Sequence, residues 1–292
     1  MIGDPNPPRI GIHLEAGGAP FTVLVNGAPV WQDSRGRATI LENLPILEWL
    51  TPGENTFDLQ LTPPDAGEDG ATASGLLTLR VDPESGADPI ELARLDVSPS
   101  SGGGSAPGRF HLLESEPPSR LEPSDSGEIR VDPVQFRRNG RNATGSRTVS
   151  LPWRWPRWTF FDAPDILATA RTREDLTLQY RALWNLLSNR DTAGLRQFLG
   201  TKVRDLVAAH PEDRRFIEPI LGLETWLNDA EMELRPLALE RFQLEVVGNG
   251  KLARLVDGRG QGPIVFVRRD GMLSSYIDAM FCLGSGGWTL VR

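Results

Sequence analysis

Few residues in this chain have side chains able to do catalytic chemistry. Three histidines and one cysteine make up its stock of neutral-pH bases and soft nucleophiles. His13 and His111 fall on the polar side of alternating runs, and His210 precedes Pro211 at a helix end, where the dipole favours a cation. No GxSxG or HExxH occurs, so hydrolase and zinc chemistry lack their motifs. SSGGGS at 100–105 is glycine-rich but opens no helix and precedes no Lys-Ser pair, which excludes a phosphate loop. Cys282 sits in an apolar run and reads as an inert buried thiol; a single cysteine allows neither an internal disulfide nor a cysteine-rich metal site. The expectation is no cofactor and no metal. Tyr276 and Asp278 alternate with the apolar face of their strand, on one side with Met280 and Cys282. They form a candidate pocket wall, although an amphipathic strand has the same pattern. Tyr180 lies in an apolar helical stripe and reads as core.

One segment concentrates cations and rings. Arg137, Arg138, Arg141, Arg147, Arg154 and Arg157 occur without an acid between them, and LPWRWPRW (151–158) adds three tryptophans. Arginine with tryptophan is enriched at interaction hot spots, because indole buries a large rigid area and guanidinium pairs bidentately with carboxylates. The six arginines are therefore the candidate partner-binding residues. The tryptophans, with Phe160 and Phe161 following, point to core at a domain junction.

The elements that must position these residues fall into two halves. From residue 9 to about 153 the hydrophobic period is two: Ile10, Ile12 and Leu14; Phe57, Leu59 and Leu61; Leu77, Leu79 and Val81. Less regular strands are expected at 21–25, 90–97, 110–113, 129–131 and 148–153. Asn26-Gly27, Pro52-Gly53 and Asn139-Gly140 are turn signals between them. Many short strands without a helical period predict an antiparallel β-sandwich of jelly-roll type over residues 1–160, with loops at 63–74, 98–108 and 115–127. The hairpin LPILEWLTPGENTFDLQL (44–61), through Trp49, Leu50, Pro52, Gly53 and Asn55, resembles a segment of galactose-binding-like β-sandwich modules. That resemblance implies a sandwich.

Residues 161–292 predict helices and then strands. Thr172 and Asp175 approximate a capping box ahead of Leu176, Tyr180, Leu183 and Leu187; Asp191 caps a second helix that continues past Gly200. A third runs from about Phe216 or Pro219 to Met232, stopped by Pro236. Strands then alternate with hairpin signals at Asn249-Gly250 and Asp270-Gly271, and a run through Ile277, Ala279, Phe281 and Leu283 leads to a last strand at 288–291. The fold class is thus a β-sandwich followed by an α+β domain of three helices and an antiparallel sheet. NLLSNRDTAGLRQFL (185–199), FVRRDG (266–271) and GGWTLV (286–291) are similar to parts of the nuclear-transport-factor-two-like, or ketosteroid-isomerase-like, α+β cone. Isomerase-like members of that family use a tyrosine and an aspartate in the cone to polarise a carbonyl and move a proton. The resemblance thereby marks Tyr276, Asp278 and Tyr180 as the pocket candidates of an enzyme.

Charge narrows the partner class. Residues 1–134 hold 21 acids and 8 bases (net −13), 135–165 hold 2 and 6 (+4), and 166–292 hold 16 and 17 (+1), which sum to the chain's −8. An acidic first half disfavours nucleic acid, whose affinity comes from neutralised phosphates. No apolar run approaches the roughly 20 residues of a membrane span, and Met1–Pro8 lacks the basic-then-apolar pattern of a secretory signal. The expected compartment is the cytoplasm. Arginine outnumbers lysine 29 to 2, a bias of GC-rich bacterial genomes. Together these features predict a bacterial protein that binds another protein without catalysis, in the manner of an immunity protein or inhibitor that neutralises a toxin. The alternatives are a small-molecule enzyme or binding protein using the C-terminal pocket, and a carbohydrate-binding accessory protein.

Overall fold

A computed structural model describes residues 8–62, 73–82, 88–99, 110–112, 129–139, 142–211, 223–271 and 274–292. The chain divides into two compact units, Met1–Trp155 and Pro156–Arg292. Antiparallel strands are the larger part of its regular structure, with helices the smaller. No described helix is long and apolar enough to cross a membrane.

In the first unit, period-two sequences build β1 (Arg9–Gly17), β2 (Phe21–Val25), β3 (Ala28–Asp33), β4 (Thr39–Pro45), β5 (Gly53–Leu61), β6 (Ser74–Asp82), β7 (Ile90–Pro99), β8 (Phe110–Leu112), β9 (Arg130–Val131), β10 (Gln135–Asn139) and β11 (Asn142–Leu151). One sheet has the order β4-β1-β6-β7-β8 and the other β10-β11-β5-β2-β3, with β9 also on β11. The apolar halves of these alternations are buried, as at Ile12 and Leu14 or Phe57, Leu59 and Leu61. At two points the sheets meet where one of them has no side chain. A Cβ on Gly75 of β6 would lie 2.6 Å from Leu59 Cδ2, and one on Gly145 of β11 would lie 2.8 Å from both Leu95 and Val97. Consecutive strands stay within one sheet at β2–β3, β6–β7–β8 and β10–β11. The chain passes between the sheets at β1–β2, β3–β4, β4–β5, β5–β6 and β8–β9. The expected loops lie largely outside the described residues.

The segment 44–61, expected as a hairpin, is not one: it leaves β4 in one sheet, makes a 3-10 turn at Leu47–Trp49 and enters β5 in the other sheet, and a buried amide pair holds it. Asn26 and Gly27 take φ of 53° and 72°, the left-handed pair a tight hairpin turn requires. Asn26 Nδ2 donates to Trp49 O (2.8 Å) and to Asn55 Oδ1 (2.9 Å), while Asn26 Oδ1 accepts from Thr56 N (3.0 Å). Asn55 Oδ1 also accepts from Thr51 N (2.7 Å), and its Nδ2 donates to Thr51 O (2.9 Å) and Gly53 O (3.0 Å). Both amides are buried with donors and acceptors occupied, which accounts for asparagine at these positions without a ligand.

In the second unit, α1 (Ala170–Ser188), α2 (Thr192–Phe198), α3 (Gly200–Ala209) and α4 (Leu223–Asn228) precede the strands β12 (Met232–Leu234), β13 (Gln243–Val247), β14 (Leu252–Val256), β15 (Ile264–Arg268), β16 (Ser274–Ile277), β17 (Phe281–Gly284) and β18 (Gly287–Leu290). These make two sheets, β12-β15-β16 and β13-β14-β17-β18. α1 buries Leu176, Tyr180, Leu183 and Leu187 in a core shared with Leu195, Ala253, Leu255, Phe266 and Phe281. Its N-cap is Thr169, whose hydroxyl accepts from Thr172 N (3.1 Å). Thr172 is therefore inside the helix, returning its own hydroxyl to Leu167 O (2.6 Å), and Asp175 pairs with Arg171 (3.2 Å) rather than closing a capping box. Asp191 caps α2 as its position implies, accepting from Gly194 N at 2.9 Å.

Two further expectations need correction. The third helix does not reach Met232: α4 ends at Asn228, and Met232–Leu234 pairs with β15; residues 212–222, where its start was expected, are outside the described set. The run 277–283 is not one strand, since β16 ends at Ile277 and β17 begins at Phe281. The backbone between them is engaged elsewhere. Ala279 O accepts the Tyr180 hydroxyl (2.6 Å), and Met280 exchanges hydrogen bonds with Val291 and Arg292.

Candidate functional site

The arginine-rich segment separates into residues with different tasks. β11 alternates between an outward polar face and an inward one, and Arg147 is on the inward face between Gly145 and Val149. It is 6% exposed, and its guanidinium donates to Arg94 O on β7 (2.6 Å) and to Asp132 O after β9 (3.1 Å). Arg147 therefore ties the two sheets together and is removed from any partner surface, because backbone carbonyls take up its donors. Arg137 and Arg138 are exposed on β10, next to Phe136. β10 pairs with β11 on one side, and no described strand covers its other side. Arg137 Nη2 reaches Gln135 Oε1 at 3.3 Å. Asp58 on β5 has its pKa raised by burial, against the opposing effects of the Ser146 hydrogen bond and the Arg137 charge. Arg141 lies outside the described residues. Arg154 is exposed, and Arg157 is exposed but ion-paired with Asp162.

The tryptophans beside these arginines are not on the strand. β11 ends at Leu151, ahead of Pro152, which has no N–H for the ladder. Trp155 and Trp158 are buried, Trp153 is half-buried, and the rings of Trp153 and Trp155 are 5.7 Å apart.

The structure does not bring Tyr276, Asp278 and Tyr180 together as a pocket. Tyr180 is fully buried; its hydroxyl donates to Ala279 O and accepts from Leu255 N at 3.2 Å, and burial pushes its pKa far up. Asp278 follows the end of β16 and turns to Arg254 of β14, which it meets at 2.8 Å; Glu245 holds the same guanidinium at 2.7 Å from the opposing position on β13. Burial alone would lower the Arg254 pKa, but the two carboxylates hold it above the ordinary value. Asp278 thus neutralises an arginine 3% exposed, while Met280 and Cys282, expected on its side, are buried. Tyr276 remains accessible at 38%.

The histidines and the thiol are likewise dispersed. His13 Nε2 meets Glu15 at 2.8 Å on β1, His210 ends α3, and the His111 side chain is not among those described. Burial, then the Asp205 charge, pushes the Cys282 thiol up to about 11, so it is protonated at neutral pH. No cluster of three potential metal ligands occurs among the described residues.

Two clefts open on the second unit. One, of about 640 Å³, is lined by Gln179, Gln197, Phe198 and Trp288 among others. The other, of about 420 Å³, includes Tyr276, Arg235, Arg241, Arg259 and Phe242, with Val265 and Val267 contributed by β15. Asp278 does not line it. Sequence reading finds Tyr276 and misses the arginines, since these come from segments with no common motif. The only signal is on β15, where Val265 and Val267 alternate with the core residues Ile264 and Phe266 and so place apolar groups on the opposite face. Compared with family models, curated proteins and solved structures, the chain matches none.

Proposed function

We propose that the protein acts by binding another, acidic protein along the β10 edge of its first unit, in the manner of an inhibitor or immunity protein. The observation that supports this reading is the exposure of Phe136, Arg137 and Arg138 together on a strand with one side free of described partners. Such an edge offers main-chain hydrogen bonds to an incoming extended segment, and its arginines select a segment carrying carboxylates. Charges on an edge strand also discourage self-pairing, and the two roles differ in what charge reversal does. The test is affinity purification of the full chain from its native host, in parallel with R137E/R138E. An acidic protein retained by the original chain and lost from the variant, at unchanged melting temperature, is the expected result. Identical recovery from both, or no retained protein, counts against the reading.

A further inference from the structure

The cleft beside Tyr276 has an excess of positive charge over an apolar floor. Arg235, Arg241 and Arg259 line it with a single acid, Asp257, so the lining charges sum to 3 − 1 = +2. The Asp257 carboxylate is committed to its own turn, with Oδ1 accepting from Arg259 N (2.8 Å) and Gln261 N (3.0 Å). The guanidinium groups of Arg235 and Arg241 have no ion-pair or hydrogen-bond partner among the described residues. Val265, Val267 and Phe242 supply the floor.

The backbone carrying both open arginines is fixed in place. Arg235 N donates to Val265 O (2.9 Å), and Arg235 O accepts from Trp184 Nε1 (2.9 Å). Arg241 ends a short 3-10 turn, Leu239–Arg241, and Arg173 Nη2 grips the carbonyls on either side of it, Leu239 O at 3.1 Å and Phe242 O at 3.2 Å. Fixed backbone beneath two open cations lowers the ordering cost of capturing an anion. A cleft of about 420 Å³ falls within the range of small-molecule sites.

We propose that this cleft binds a small organic dianion with an apolar body, such as an aryl phosphate or a dicarboxylate. Its charged end lies between Arg235 and Arg241, and its body rests on Val265, Val267 and Phe242. The site is separate from the β10 edge, and either assignment can fail alone.

The test is calorimetric titration of the full chain with phenyl phosphate, benzene-1,3-dicarboxylate, inorganic phosphate and benzyl alcohol. Saturable one-to-one binding of an organic dianion is expected, at least about tenfold tighter than inorganic phosphate, with none for the neutral alcohol. R235Q/R241Q weakens that binding by about tenfold or more, whereas R137E/R138E leaves it unchanged. If the double variant melts lower, R241Q alone, at an exposed position, is titrated in its place with the same expected direction. Absence of saturable binding by either organic dianion, equal affinity for inorganic phosphate, or undiminished binding by a folded arginine variant each overturns the proposal.

Discussion

The β10 edge and the Tyr276 cleft use the same ingredients, arginine beside an aromatic ring, in opposite shapes. On β10 the side chains flank an open backbone edge, so whatever binds must bring its own main chain. In the cleft the arginines stand around a floor of valines, so the occupant is small and carries both charge and apolar area. The difference shows that local composition does not define a recognition surface; the backbone beneath it does. Each region also contains a deceptive twin, the same residue type committed to the interior: Arg147 behind Arg137 and Arg138, and Tyr180 in the unit that carries Tyr276.

The twins give the sharpest way to break the comparison. Arg147→Ala takes the guanidinium donors from Arg94 O and Asp132 O and empties the space a buried side chain fills between the sheets, and is expected to cost about 3 kcal/mol. Arg138→Ala should stay within roughly 0.5 kcal/mol. Urea titration of both variants measures the gap, and equal losses would erase the distinction. Next in size, Tyr180→Phe removes a hydroxyl that bridges Ala279 O and Leu255 N and is expected to cost about 2 kcal/mol, against less than roughly 0.5 kcal/mol for Tyr276→Phe.

Two smaller effects are read through pH. Because the folded thiol of Cys282 is held up to about 11 while the unfolded one ionises near 9.0, stability should decline as pH rises from 9.0 towards 11. Cys282→Ser removes that part of the decline, and melting at pH 8 and at pH 10.5 shows whether it does. Asp58 has a raised folded-state pKa, so the folded state holds its proton more tightly, and stability from this group falls as pH rises above 3.8. Asp58→Asn is accordingly expected to raise the melting temperature slightly at pH 7 and to leave it unchanged below pH 3.8. A lower melting temperature at pH 7 would mean that the charge itself, through Arg137, outweighs burial.

Much of the architecture was legible because alternation and helical spacing report directly on burial. Ile12, Leu59 and Leu79, and the stripe Leu176, Tyr180, Leu183 and Leu187, are core where their spacing puts them. What misled was periodicity carried through a break. Ile277, Ala279, Phe281 and Leu283 alternate as a strand would, yet Tyr180 and Arg292 claim the backbone at 279 and 280, a tertiary demand that spacing does not encode. The arginine segment misled in another way. A strand's alternation predicts which side Arg147 takes, but a guanidinium facing inward becomes credible only once the carbonyls of Arg94 and Asp132 are seen waiting for it. The cleft was least legible, because residues 235–242, 257–267 and 276 come from separate segments, most of them outside the strands, that only the folded chain brings together.

The missing side chains at Gly75 and Gly145 have a consequence for how this sequence can vary. Each stands where the opposing sheet's leucine or valine already fills the space a methyl group would need. In a saturation library selected for folded protein, side chains larger than alanine should be depleted at these positions, because even a methyl group makes Leu59, or Leu95 and Val97, give way, while Gly200, at the start of α3 with open space around it, accepts them. Drift along the two faces is then free to exchange one aliphatic side chain for another, but not to add bulk at the two points where the layers touch through bare backbone.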